Sequence, residues 1–314
     1  MNTLIATWPF DTFGDRLVDK LVHCGCQVNF NPFQRRLKKE ELAELLADAE
    51  IVVAGTEPYT RDVLTPARRL RLISRVGIGL DSVDLDYCPA NNVRVSYTPD
   101  APSRGVAELT IHHMLALTRR TMESHNSVVD LSWERHVGEL LSEHCIGLLG
   151  FGRIGRLVAE CLRPFGATVL AHDIAPDAQA ARDRGVELVS CEELFRRSTI
   201  LSVHIPLNPE NHHFVSQARI DLMPPGALLI NTARGAVVDE ESLARALQAR
   251  RLRGAALDVF EQEPYTGPLR QVPGVILSAH IGASARATRR QMESEAVQAV
   301  EAFTHGEAWK NYVV

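Results

Sequence analysis

Gly150, Gly152 and Gly155 stand in the order G-x-G-x-x-G, directly after the apolar run Ile146-Gly147-Leu148-Leu149 and at the opening of an amphipathic segment. A strand that turns sharply into a helix gathers unpaired N–H groups and the positive end of the helix dipole at one point, and a pyrophosphate is the ligand such a point attracts. The first glycine permits the turn, the second lets a phosphate approach the backbone, and the third lets the helix pack against the strand, with Arg153 and Ile154 inside the motif. The six-residue match is weak by itself, but the next apolar run, 168–171, ends at His172-Asp173 and so places a carboxylate where the adenosine ribose of a dinucleotide lies. An Asp there accepts from the ribose hydroxyls and repels a 2′-phosphate. Ile174 rather than an Arg follows it, so NAD is expected over NADP.

Three further segments each end an expected strand: Ile230-Asn231-Thr232-Ala233-Arg234-Gly235, then Val259-Phe260-Glu261-Gln262-Glu263-Pro264, then Ser278-Ala279-His280-Ile281-Gly282-Ala283-Ser284. Ligands of open α/β sheets bind outside the carboxyl ends of the strands, so the three should converge on the nicotinamide end of the cofactor. An N-T-A-R-G turn, an L-D-V-F-E-x-E-P stretch and an H-I-G-A motif, in that order behind the glycines, resemble the D-2-hydroxyacid dehydrogenase family. Val76-Gly77-Ile78-Gly79-Leu80-Asp81 and Ser103-Arg104-Gly105-Val106-Ala107-Glu108 are similar to its substrate loop and inter-domain segment, so the resemblance spans nearly the whole chain.

Oxidation of a 2-hydroxy acid needs a base with a pKa near neutrality at the hydroxyl, and the imidazole of His280 qualifies. A carboxylate on the other ring nitrogen would fix the tautomer, a role that suits Glu263. Arg234 offers a planar fork for a substrate carboxylate and a positive charge near the developing alkoxide. The resemblance implies that backbone N–H groups of Val76, Gly77, Ile78 and Gly79 help hold that carboxylate. It also implies that His204, Pro206, Thr232, Ala233, Asp258 and Gly282 line the cofactor pocket. Ala279 stands where the family commonly has Pro, a departure that removes no reacting group. In Gly55-Thr56-Glu57-Pro58 an acidic residue stands in a loop where the family's phosphoglycerate-oxidising members tend to have a basic one.

The elements that must position these groups alternate between β-branched apolar runs and amphipathic segments, the pattern of parallel sheets with helices on both faces. Strands are expected at 4–7, 28–30, 51–55, 72–76 and 93–97, then at 146–149, 168–171, 187–189, 200–204, 227–230, 255–259 and 275–277. Helices are expected at 15–24, 39–47, 61–67, 103–124, 154–165, 240–250 and 287–305. The class is α/β with two doubly wound domains: a Rossmann NAD-binding domain over 101–286, and a smaller flavodoxin-like substrate-binding domain over 1–100 plus 287–314, with a cleft between them. At 314 residues two domains are the natural expectation.

The composition, 45% hydrophobic and 23% charged with a net charge of −5, shows no basic excess for nucleic acid, and no apolar run approaches a membrane span. The start of the chain has no secretory or transit pattern, so the cytoplasm is the expected compartment. Six scattered cysteines suit reduced thiols; Cys24-Gly25-Cys26 is the one close pair, a metal or redox site only if further ligands existed. No metal is expected, because no His pairs with Cys, Asp or Glu at a ligand spacing. The dense Arg68-Arg69-Leu70-Arg71 patch reads as solvated surface. The resemblance implies a homodimer, paired through the cofactor domain around the helix from Ser103 and the Trp133 region. It leaves the substrate open among 3-phosphoglycerate, glyoxylate, hydroxypyruvate and other small 2-oxo acids. A chain ending at Val314 leaves no room for the regulatory domain that many phosphoglycerate dehydrogenases carry. The resemblance extends to NAD-sensing transcriptional corepressors, which make a binding protein the alternative to an enzyme.

Overall fold

The computed structural model describes Met1–Val314 and divides into two compact units, Met1–Pro102 with Ala283–Val314, and Ser103–Gly282. The first unit is a five-stranded sheet of β1 (Asn2–Ile5), β2 (Gln27–Phe30), β3 (Ile51–Ala54), β4 (Leu72–Arg75) and β5 (Arg94–Ser96), in the order β2-β1-β3-β4-β5. Every pairing is parallel, and the order is that of flavodoxin-like folds. Successive strand residues point to opposite faces. Leu4, Val52, Ile73 and Val95 therefore build one apolar layer, and Ile5, Ile51, Val53 and Leu72 build the other. The second layer is closed by Met292, Ala296, Val297 and Val300 of the Arg286–His305 helix, and the Ser74 hydroxyl donates to the Ala296 carbonyl at 2.8 Å.

The second unit has seven parallel strands: β6 (Cys145–Leu149), β7 (Thr168–His172), β8 (Glu187–Leu188), β9 (Ile200–Val203), β10 (Ala227–Asn231), β11 (Leu252–Leu257) and β12 (Val275–Leu277). Their order, β12-β11-β10-β9-β6-β7-β8, reverses direction between β6 and β9, the switch point at which Rossmann sheets hold dinucleotides. One face is covered by the Ser103–Thr118 and Arg153–Leu162 helices, whose Ala107, Ile111, Met114, Val158, Ala159 and Leu162 bury against Ile146, Leu148, Leu228, Ile230 and Ala256. Each fully buried Leu or Ile contributes roughly 1.5–3 kcal/mol, so this layer is a main support for every loop at the strand ends.

Several element boundaries differ from the sequence expectation, and two of them have a plain physical reason. The helix expected over 103–124 is two, Ser103–Thr118 and Thr121–Val129, because Arg120 takes a left-handed conformation (φ 53) that no continuous helix accommodates. The strand expected over 255–259 begins three residues earlier, at Leu252. Arg253 and Gly254 interrupt the apolar run, yet Arg253 is exposed and Gly254 pairs with Leu228 of β10. No helix is long and apolar enough to cross a membrane.

Candidate active site

The cofactor end is built from the glycine turn after β6. Gly150 has φ +99, which L side chains rarely adopt, and a Cβ on Gly155 would sit 2.3 Å from the Gly150 carbonyl oxygen. Gly152 has open space around its Cβ position and caps the Arg153–Leu162 helix without a side-chain hydrogen bond, so the first amides of that helix face outward. That cradle fits a pyrophosphate. Asp173 follows β7; its Oδ2 accepts the Phe151 amide at 2.7 Å and its Oδ1 the Ala175 amide at 2.9 Å. The carboxylate thus braces the glycine turn, and Ile174 beside it is almost wholly exposed.

The chain after β9 closes over the same turn. The His204 amide donates to Leu149 O at 2.7 Å, and a Cβ on Gly150 would lie 2.6 Å from His204 O. The His204 ring pairs with the Ser202 hydroxyl through Nε2 (2.9 Å), and burial pushes its pKa down to about 4, so it is neutral there. Pro206 holds Asn211 Nδ2 through its carbonyl at 2.9 Å.

The three strand-end segments of this unit are physically joined. Asn231 fixes the N-T-A-R-G turn, its Nδ2 donating to Arg234 O at 2.9 Å and its Oδ1 accepting the Ala233 amide at 3.1 Å, while Arg234 Nη1 donates to Ala233 O at 2.6 Å. Gly235 is packed so tightly on the next segment that a Cβ would stand 1.8 Å from the Phe260 carbonyl carbon, so only glycine fits. The Phe260 amide donates to Glu263 Oε1 at 3.2 Å, and both Glu263 oxygens meet His280 Nδ1, at 2.9 and 3.1 Å. Glu263 and His280 are partly exposed, so the pair is reachable from solvent and Nε2 is the ring nitrogen left to face a ligand. Thr232, buried, shares a hydroxyl contact of 2.9 Å with Thr110 of the Ser103–Thr118 helix. Asp258, 1% exposed, accepts the Ile281 and Gly282 amides at 2.8 and 2.7 Å and the Ser278 hydroxyl at 2.6 Å. These last contacts carried no signal at sequence level; Asp258 entered there only as a pocket-lining residue.

In the first unit two amides of the 76–79 loop already have partners. The Val76 amide donates to Ala54 O at 2.9 Å, which continues the strand pairing past β4, and the Gly77 amide donates to the Thr98 side-chain hydroxyl at 2.9 Å. Ile78 and Gly79 are the amides of that loop without such partners. The acidic character of the Gly55–Pro58 loop is also not presented outward. Glu57 is 2% exposed, its Oε2 accepting the Gly55 amide (2.8 Å) and the Tyr59 hydroxyl (3.2 Å), while Arg36, from the segment before the Lys39–Leu46 helix, reaches this loop and donates Nη2 to Thr56 O at 2.6 Å. Cys24 and Cys26 hold their sulfurs 3.9 Å apart as free thiols, and burial together with the neighbouring thiol pushes Cys24 up to about 11.

Comparison with known proteins agrees with this geometry. Residues 111–282 match the model of the D-isomer specific 2-hydroxyacid dehydrogenase NAD-binding domain. The chain is 36% identical over 283 residues to the D-3-phosphoglycerate dehydrogenase of Methanocaldococcus jannaschii, a match that covers 88% of this chain and spans about half (54%) of that protein. It is 34% identical over 271 residues to the hydroxypyruvate reductase of Thermotoga maritima, covering 84% of this chain and 88% of the relative. In fold it resembles the D-lactate dehydrogenase of Aquifex aeolicus complexed with NAD and lactic acid, at TM-score 0.87 and 28% identity over 100% of this chain and 99% of that one. The glycine cradle, the two parallel sheets and these matches together place the chain in the D-isomer specific 2-hydroxyacid dehydrogenase family, whose members are NAD-dependent oxidoreductases.

Proposed function

We propose that the protein interconverts a small D-2-hydroxy acid and its 2-oxo acid, with His280 as acid and base, Glu263 as its orienting partner and Arg234 as the carboxylate fork. The pairing of both Glu263 oxygens with His280 Nδ1 is the observation that carries this reading. NAD, when bound, supplies the hydride acceptor, and NADH the donor. In the reductive direction His280 is protonated on both nitrogens: Nδ1–H stays on Glu263 while Nε2–H moves to the oxygen at C2. In the oxidative direction Nε2 takes that proton back, and the Glu263 carboxylate stabilises the imidazolium that results. Arg234 holds the substrate carboxylate and places positive charge beside the developing alkoxide. The first unit, read as the substrate-binding domain, offers the Ile78 and Gly79 backbone amides, a donor set suited to a carboxylate.

Glyoxylate, hydroxypyruvate and 3-phosphoglycerate all meet these requirements. The inward turn of Glu57 removes the acidic barrier that a phosphate would otherwise meet, and Arg36 contacts the same loop through Thr56 O. NADH oxidation with glyoxylate, hydroxypyruvate and its phosphate is expected to turn over at least one of them, and NADH to be preferred over NADPH by at least about tenfold. Asp173→Ala should erode that preference, an outcome that tests the ribose assignment separately. Tight NADH binding without turnover on any 2-oxo acid would replace the enzyme by the NAD-sensing binding protein.

We further read the protein as a cytoplasmic homodimer paired through the cofactor domain. Val128, Val129, Leu131, Trp133 and Val137 expose large apolar side chains along one segment, Leu131 and Val137 at 92% and 91%. A contiguous apolar stretch of this kind marks an interaction surface. Sedimentation is expected to give twice the chain mass, and Trp133→Glu with Leu131→Glu to give the monomer; a monomeric wild type would remove the assignment.

A further inference from the structure

The Ser103–Thr118 helix carries a buried histidine that the chemistry above does not use. His113 is 1% exposed and sits on the helix face that also bears Val106 and Thr110, at spacings of seven and three residues. Its Nε2 lies 3.3 Å from the Ser278 hydroxyl, two residues before His280. The Ser278 hydroxyl has one proton and gives it to Asp258 Oδ1 at 2.6 Å, so it can only accept from His113, and the imidazole must carry its proton on Nε2. Burial supports that state by pushing the His113 pKa down to about 4, outweighing the pull of the Asp258 charge.

Asp258 in turn holds the backbone on the far side of His280 through the Ile281 and Gly282 amides, while the His280 amide donates to Ser278 O at 3.0 Å. Between these anchors His280 takes φ 53, a conformation a non-glycine residue holds only when its surroundings impose it. We propose that His113, acting through Ser278 and Asp258, is a positioning residue that keeps the His280 turn in the backbone conformation from which its imidazole meets Glu263. The proposal rests on the reading of His280 as the acid and base. His113 touches no reacting atom: it fixes the direction of the Ser278 hydroxyl, the hydroxyl fixes one oxygen of Asp258, and that carboxylate fixes the two amides after His280.

The test compares Ser278→Ala, Ser278→Thr, His113→Leu and His113→Gln in the full-length protein, using NADH and the 2-oxo acid that the wild type turns over. Ser278→Ala and His113→Leu are each expected to lower kcat about tenfold, with KM and the NADH dissociation constant within about twofold of wild type. Ser278→Thr keeps the hydroxyl and His113→Gln keeps a donor near the Nε2 position, so both should retain most of the activity. The double variant Ser278→Ala with His113→Leu should be no slower than the worse single one, because one chain is broken only once. Wild-type kcat in a folded Ser278→Ala protein would overturn the proposal, as would additive losses or a His113→Gln protein as slow as His113→Leu. Ser278→Ala removes one oxygen only, so it decides the matter even where His113→Leu does not fold. A His280→Ala protein of full activity would instead sink the acid–base reading and leave this comparison standing as a separate result.

Discussion

His280→Ala is expected to lower kcat by about 10³-fold while leaving NADH binding within about twofold of wild type. A positioned acid–base group contributes roughly 10²–10⁴-fold, and nothing else at this strand end can exchange a proton with the oxygen at C2 in the same way. Glu263 is occupied by His280 Nδ1 and the Phe260 amide, and Arg234 does not deprotonate. The cofactor should be indifferent, because the glycine turn, Asp173 and the β9 end are braced by their own contacts and none of those passes through the imidazole. Glu263→Gln is the companion variant. The amide can still accept from Nδ1–H, but it offers no charge to the imidazolium, so a loss of about 10²-fold is expected from the missing electrostatic stabilisation. Single-turnover NADH oxidation, with NADH affinity from fluorescence titration, separates chemistry from binding. A His280→Ala protein within a few-fold of the wild-type rate would end the acid–base assignment.

The cofactor half of this site was legible in the sequence because its signal is local. Strand, glycines, helix and acid follow one another within the 28 residues from Ile146 to Asp173, and each has a steric or electrostatic reason that does not depend on the rest of the chain. The chemical half was legible only through the order of its motifs and the resemblance they carry, since Arg234, Glu263 and His280 are separated by long stretches of helix and strand. What joins them had no local signature. The Thr110–Thr232 contact and the His113–Ser278 contact connect residues 122 and 165 positions apart, and periodicity alone assigns Thr110 and His113 to a helix interior. Direction was equally hidden. Glu57 reads as an exposed loop acid until the Gly55 amide and Tyr59 are seen to hold it inward, and the amides of Val76 and Gly77 read as open donors until the Ala54 carbonyl and the Thr98 hydroxyl are seen to accept from them. Arg120 breaks the long helix without the glycine that usually announces a left-handed residue.

Arg234→Ala is expected to reduce kcat/KM by about 10³-fold, a loss of about 4 kcal/mol at the transition state. Unlike the histidine variant, it should also raise KM for the 2-oxo acid. The argument begins with the turn rather than the charge. Asn231 pins the backbone on either side of position 234, and Gly235 is wedged against Phe260, so the guanidinium starts from a backbone that a substitution at 234 does not move. A fork held on such a base can meet a carboxylate with two parallel N–H bonds, and the same charge gains strength as the carbonyl oxygen becomes an alkoxide, so ground-state and transition-state binding should both fall when it is removed. Arg234→Lys discriminates between the two contributions. It restores the charge without the planar pair of donors, so it should recover part of kcat and leave KM raised. NADH affinity should stay within about twofold in both variants, because the glycine turn and Asp173 stand on β6 and β7, and Thr232 and Ala233 of the β10 turn are held by Thr110 and Asn231. If Arg234→Ala kept its KM and lost only kcat, the guanidinium would be acting on the reacting oxygen alone, and the carboxylate would have to be held by other groups.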